Sequence, residues 1–422
     1  MSLKILLFCF ALLVLVLRLL LDWLNLRYQQ QHRGALPAAF AGQIDAQRLQ
    51  QSCEYSRSKG LLGLVEEGGG GLLTLLFLFS GLLPWYDQLV GSFAAGPVSE
   101  GLLFFALLFL GQSLLGVPFS LYRNFVIEAR FGFNRMGLGL WCADLIKSLL
   151  VGGILFLFLV GGALLLVQVF PHSWWLLVWG FWAVLTVFLL YLSPVLIEPL
   201  FFKMEPLKNT ALAEQVRQLL GKVGLEAGKV LQVDASRRSG HSNAYFTGIG
   251  RVKRVVFFDT LLDQLSDKEL LAVLAHELGH WQCGHIRQRL IKSQILILAC
   301  CYGGFLLLRA QYLPGWFGLD QLSFNGQVLL LGWFGGLVGF FWTPVSSWWS
   351  RRQERQADRY AVHLVGGGRE LATGLVRLAR ENLSQLHPHP FYSAVYYSHP
   401  PLIERVAWLE QQAAGASCPD KK

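Results

Sequence analysis

The 422 residues carry a formal net charge of +9 and are 54% hydrophobic but only 15% charged, with a mean hydropathy of +0.44. Soluble domains carry about 25% charged residues, so this balance excludes a soluble enzyme and places the chain in a membrane. The positive charge suits anionic membrane lipid, and no nucleic-acid-binding signature accompanies it, so nucleic acid is not an expected partner.

Apolar stretches long enough, or nearly so, to cross a bilayer lie at 5–24, 71–90, 101–118, 148–168, 174–194, 291–309 and 326–349. Lys4 precedes the first, but the small-residue site Ala39-Phe40-Ala41 falls far beyond it, past Arg27, His32 and Arg33. It therefore reads as an uncleaved helix rather than a secretory leader. Gly68 to Gly71 read as a flexible entry into the second span. Seven spans put 25–70, 119–147, 195–290 and the tail from 350 on one side. Every Lys and Arg except Lys4, Arg18 and Arg309 lies in those segments or borders them, which marks that side as cytoplasmic. The expected setting is a bacterial inner membrane, or the endoplasmic reticulum in a eukaryotic cell. Seven cysteines without a paired framework are expected to remain thiols there.

The spans divide the chain into membrane helices over 1–198, a segment outside the apolar stretches over 199–290, two further membrane helices over 291–349, and a C-terminal segment over 350–422. In the second segment the pattern predicts a helix near 210–223 and strands at Val230–Val233 and Arg254–Asp259. A short strand candidate, Ser242 to Gly248, lies between them. A free sheet edge can take a substrate backbone as an added strand, and Asn243 and Ala244 are the expected edge. The competing reading is a core strand that turns at Gly248.

Ser266 to Glu269 form a capping box, and Leu270, Leu271, Val273 and Leu274 carry the helix into Ala275-His276-Glu277-Leu278-Gly279-His280. Four-residue spacing puts His276 and His280 on one helix face, where both can bind a single Zn²⁺ with Glu277 beside them. Such a site needs a third protein ligand and an open position. Glu354 is the candidate, because Asp358 four residues on can accept the free ring N–H of a ligand histidine. The competing reading pairs both carboxylates with Arg351, Arg355 and Arg359 on a solvated face. His285 is not expected to be a ligand, since continuing the helix carries it to the opposite side, one residue short of the metzincin spacing. Cys283 is expected to be a small apolar filler.

Taken in order, IEARFGFNRM (127–136), IEPLFFKMEPL (197–207), GHSNAYFTG (240–248), FDTLL (258–262), AHELGHWQCGH (275–285), SRRQERQADRYA (350–361) and YSHPPLIERV (397–406) resemble the type 1 CAAX prenyl proteases, integral-membrane zinc metallopeptidases. The resemblance implies one zinc per chain on His276, His280 and Glu354, with Glu277 as general base and Asp358 behind the ligands. It also implies that His399 stabilises the oxyanion and that Arg405 lies nearby. Read alone, His399 is a loop histidine before Pro400. The implied fold is a mainly α membrane protein in which seven helices wall a chamber, capped on the cytoplasmic side by a small α+β gluzincin-type domain. The implied substrate is a peptide or protein that can be lipid-modified, cut after a prenylated Cys near its C-terminus. Two other functions compete: a membrane quality-control protease of the HtpX kind, and a channel or transporter with a structural zinc site. Few ionisable groups in the apolar stretches count against the last.

Overall fold

The computed structural model describes residues 3–247 and 252–415; the turn expected at Gly248 and Cys418 lie outside them. Helices follow in chain order as α1 (Leu3–Gln31), α2 (Ala46–Phe79), α3 (Leu82–Phe93), α4 (Pro97–Tyr122), α5 (Leu138–Val169), α6 (Trp174–Leu192) and α7 (Glu198–Phe201). Single π-helical stretches, Arg123–Glu128 and Ser193–Ile197, extend α4 and join α6 to α7. Next come β1 (Met204–Pro206), α8 (Thr210–Lys222), β2 (Glu226–Val233), β3 (Ala244–Thr247), β4 (Val252–Phe258), α9 (Asp259–Gln264) and α10 (Asp267–Gln282). The chain ends with α11 (His285–Ala310), α12 (Tyr312–Trp316), α13 (Phe324–Val365), α14 (Arg369–Glu381), α15 (Pro390–Tyr396) and α16 (Leu402–Gly415).

Among the described residues seven helical stretches, those of α1, α2, α4, α5, α6, α11 and α13, are long and apolar enough to cross a membrane. Six correspond to expected spans. The second does not: 71–90 is broken at Ser80-Gly81, where Gly81 takes φ +95°. The span is α2, which begins at Ala46, while the 12-residue α3 is too short to cross. Nor are Gly68 to Gly71 a flexible entry; they are helical, and a Cβ on Gly71 would come within 2.5 Å of Leu15. Small residues here let α1 and α2 approach closely, as they do between membrane helices generally. Hydropathy missed this helix because its charged residues face partners instead of lipid: Arg18 meets Glu67 at 3.5 Å and Arg123 meets Glu66 at 2.6 Å.

Only 6% of the apolar window of α4, α5, α6 or α11 is buried within the protein. Helices that filled a solid bundle would bury a far wider stripe, so most of each of these apolar faces is left for lipid or an interior space to cover. Two cavities, of about 510 and 480 Å³, adjoin at His241, which lines both.

The sheet order is β1-β2-β4-β3, with β2 and β4 parallel and both outer pairings antiparallel. Alternation sends Val230, Val255 and Phe257 into one core with α8, α10 and α14, and Leu231, Val233 and Val256 into a second with Phe202 and Met204. The parallel pair is thus covered on both faces, which is why it reads as unbroken apolar runs. The expected strand ends one residue early, because Asp259 leaves the sheet to accept from Ser236 N and Thr260 N and so begins α9. The divisions drawn at 198/199, 290/291 and 349/350 fall inside α7, α11 and α13. They mark changes of polarity along continuous helices. The one in α13 matters most, since this 42-residue helix leaves the membrane and carries Glu354 and Asp358 without interruption.

Candidate metal centre

The helix bearing the paired histidines starts where the sequence says it should: Ser266 and Glu269 cap each other reciprocally at the head of α10. Gly279 then admits its neighbour. A Cβ there would lie 2.9 Å from both Cα and O of Ala357 and 3.2 Å from Cβ of Tyr360, so α13 packs directly on the α10 backbone. Ala357 stands between Glu354 and Asp358, and the contact brings both carboxylates to the histidine face.

His276 Nε2 and His280 Nε2 lie 3.3 Å apart, and each is 3.3 Å from a different oxygen of Glu354. These three residues are a group of ligand atoms able to hold one metal ion. Ligand atoms about 2.0–2.1 Å from one tetrahedral ion are separated by about 3.3–3.4 Å. The spacing therefore fits zinc. The chemistry fits too. Asp358, 2% exposed and gripped by Arg405 through Nε at 3.0 Å and Nη2 at 2.6 Å, places Oδ1 2.8 Å from His276 Nδ1. The ring is turned off the ideal hydrogen-bond line, yet a buried imidazole beside this carboxylate has its favoured proton position on Nδ1. Its Nε2 lone pair then faces the cluster. Glu354 Oε2 is buried without an aligned donor, as an oxygen facing a cation would be. Burial opposes charge on the His276 ring, but Asp358 and Glu354 outweigh it and raise its pKa to about 9.

Glu277 projects from the same helix, half-buried, with no hydrogen bond or ion pair among the described residues. His399 is exposed and its Nδ1 lies 2.8 Å from Glu354 Oε2, so the loop after α15 delivers it to the rim of the cluster. Arg351 pins that loop by donating to Ser393 O at 3.1 Å and Tyr397 O at 2.7 Å. It is not paired with Glu354 or Asp358, contrary to the solvated-face reading. Arg405 addresses Asp358 rather than open space. Asn243 is exposed beside β3, the edge strand, and its carbonyl accepts from Phe258 N at 3.0 Å. Ala244 opens β3 opposite Phe257.

The sequence reading missed two arrangements. His285 does not continue α10; Gly284, at φ +67°, turns the chain, and His285 heads α11 with Nδ1 3.0 Å from His280 Nδ1. Gly284 was the available signal. The second ties the membrane helices to the segment before β3. Glu128, at the end of the π-helical turn after α4, meets Tyr55 at 2.8 Å and His241 at 3.1 Å, while Phe133 stacks on the His241 ring at 4.1 Å. Glu198 in α7 accepts from Tyr245 of β3 itself. No local pattern announces these contacts across the chain.

The profile for the CAAX prenyl protease N-terminal region, five membrane helices, matches residues 25–203, and that for peptidase family M48 matches 206–413. The CAAX prenyl protease 1 homolog of Oryza sativa subsp. japonica is 34% identical over 95% of this chain and 96% of its own. CAAX prenyl protease 1 of Saccharomyces cerevisiae is 34% identical over 91% of this chain and 90% of its own. The crystal structure of S. mikatae Ste24p superposes with a TM-score of 0.87 at 30% identity, covering 97% of this chain and 99% of that one.

Proposed function

The chain belongs to the CAAX prenyl proteases of peptidase family M48, and from that premise we propose that it is a zinc-dependent endopeptidase using the His276, His280 and Glu354 centre. It is a membrane metalloprotease. The observation supporting our assignment is the convergence of three ligand residues from α10 and α13, the two imidazoles 3.3 Å apart and each 3.3 Å from an oxygen of Glu354, although two helices long enough to span a membrane separate them in sequence. Neither the quality-control reading nor the transport reading is favoured, since the relatives reported above are CAAX prenyl proteases. They come from a plant and a yeast, so the bacterial setting draws no support from them.

We assign one zinc per chain, a peptide substrate that carries a prenyl group, and a cytoplasmic active site by the charge distribution of the loops. Asn243 and Ala244 are assigned to the substrate, which would add its backbone along the free edge of β3. Zinc content measured together with cleavage of a farnesylated CAAX peptide and its unmodified form tests this. The expected result is one zinc per chain and faster cleavage of the farnesylated peptide, with Asn243→Ala raising KM for both. A zinc-loaded protein that cleaves neither would overturn the proposal.

Zinc affinity is expected to depend on pH in a stated direction. Because His276 must lose its proton to bind a metal and its pKa is raised to about 9, protons compete below that value. Apparent affinity should rise about tenfold per pH unit between roughly 7 and 9 and then level off. A flat profile over that range in a chelator competition would mean that the ring is already neutral at pH 7 and would overturn the raised pKa.

A further inference from the structure

We propose that His285 and Gln356 form a relay that fixes which nitrogen of His280 carries its proton, making both positioning residues of the metal centre. The proposal rests on the ligand assignment above. His285 is 1% exposed, and the left-handed turn at Gly284 folds it back against His280. Its Nε2 lies 2.9 Å from Gln356 Oε1, and its Nδ1 lies 3.0 Å from His280 Nδ1. An amide oxygen only accepts, so the His285 proton is on Nε2. The Nδ1 of that neutral ring is then an acceptor. His280 must donate from Nδ1, which leaves the lone pair of its Nε2 directed at the point where Glu354 Oε1 and His276 Nε2 converge at 3.3 Å.

Each ligand histidine therefore has its own orienting arm. Arg405 and Asp358 form a charged arm behind His276; Gln356 and His285 form a neutral arm behind His280. Both arms start on α13, from the residues either side of Ala357, which rests on Gly279. The helix that supplies Glu354 thus also sets the tautomers of the two imidazoles, and all of it follows from one contact between helices.

The test is zinc competition against a chelator of known affinity, using the full-length protein in lipid or detergent. His285→Ala should weaken zinc binding roughly 10–100-fold, the usual cost of losing a partner behind a ligand. His285→Asn, whose Oδ1 can take the place of the lost acceptor, should recover most of it. Gln356 is exposed, so its variants test the relay without disturbing the core. Gln356→Glu, which can only accept, should bind zinc as tightly as the wild type, and Gln356→Leu should bind it more weakly. Equal weakening by Ala and Asn at 285 would reduce His285 to packing and overturn the relay, as would wild-type affinity in His285→Ala or equal loss in both Gln356 variants. A wild-type protein that takes up no zinc would instead overturn the ligand assignment beneath it.

Discussion

Glu277→Gln is expected to keep its zinc and lose hydrolysis by roughly 10²–10⁴-fold, the range that a well-placed general base supplies. The surrounding carboxylates are committed. Glu269 caps α10, Asp358 holds Arg405, and Glu354 faces both imidazoles. Glu277 holds nothing among the described residues, although it sits in the same helical turn. An amide of the same shape should therefore alter stability by no more than about 0.5 kcal/mol, the ordinary size of a surface change. What it cannot do is accept a proton. The carboxylate would take a proton from the attacking water and return it to the departing amine, so no covalent intermediate forms and none of the cysteines is required. A zinc ion on the three ligands would supply Lewis-acid polarisation and acidify water toward a pKa of about 7. His399, at the rim with its other ring nitrogen free to face substrate, would stabilise the oxyanion; His399→Ala should cost about 10²–10³-fold in kcat. Normal turnover by zinc-loaded Glu277→Gln, followed by assaying the released peptide, would falsify the role given to Glu277.

The part of this centre that could be read from the sequence is the part governed by short range. A capping box, an apolar helix face and two histidines one turn apart need no knowledge of the rest of the molecule. Glu354 was legible for the same reason, because Asp358 four residues later offers the support a ligand histidine wants. Long-range contacts were not legible. Extrapolating α10 as a straight helix sent His285 to the wrong side, whereas a left-handed Gly284 restarts the chain and returns it to the centre. Hydropathy misplaced the second span because it scored Glu66 and Glu67 as water-seeking, when Arg123 and Arg18 neutralise them. His399 has no local signature at all; it stands at the rim of the cluster where Arg351 fastens its loop to α13. The tie from Glu128 to His241 spans 113 positions and joins a membrane helix to the approach to β3.

Gly279→Ala is the substitution expected to harm metal binding most for the least chemical change. Two effects oppose each other. Within a helix Ala is favoured over Gly by about 0.8–1.0 kcal/mol, so propensity alone would make the variant more stable. Against that, the new methyl meets Ala357 Cα and O at 2.9 Å, and both are backbone atoms that cannot rotate away. Overpacking of this kind costs about 1–3 kcal/mol, so the net change should be a loss. The larger consequence is geometric. Relief of the clash requires α10 and α13 to part by several tenths of an ångström, and α13 is a 42-residue helix whose other end is held among the membrane helices. Ligand positions have to be kept within about 0.5 Å to work, and Glu354 alone is carried by the displaced helix. Zinc affinity in the same chelator competition should fall at least about tenfold while the melting temperature drops, and activity should return in part at high zinc. A variant that melts higher and binds zinc as tightly as the wild type would mean that the two helices separate freely. The contact between Gly279 and Ala357 would then not be what sets the distance between Glu354 and the imidazoles.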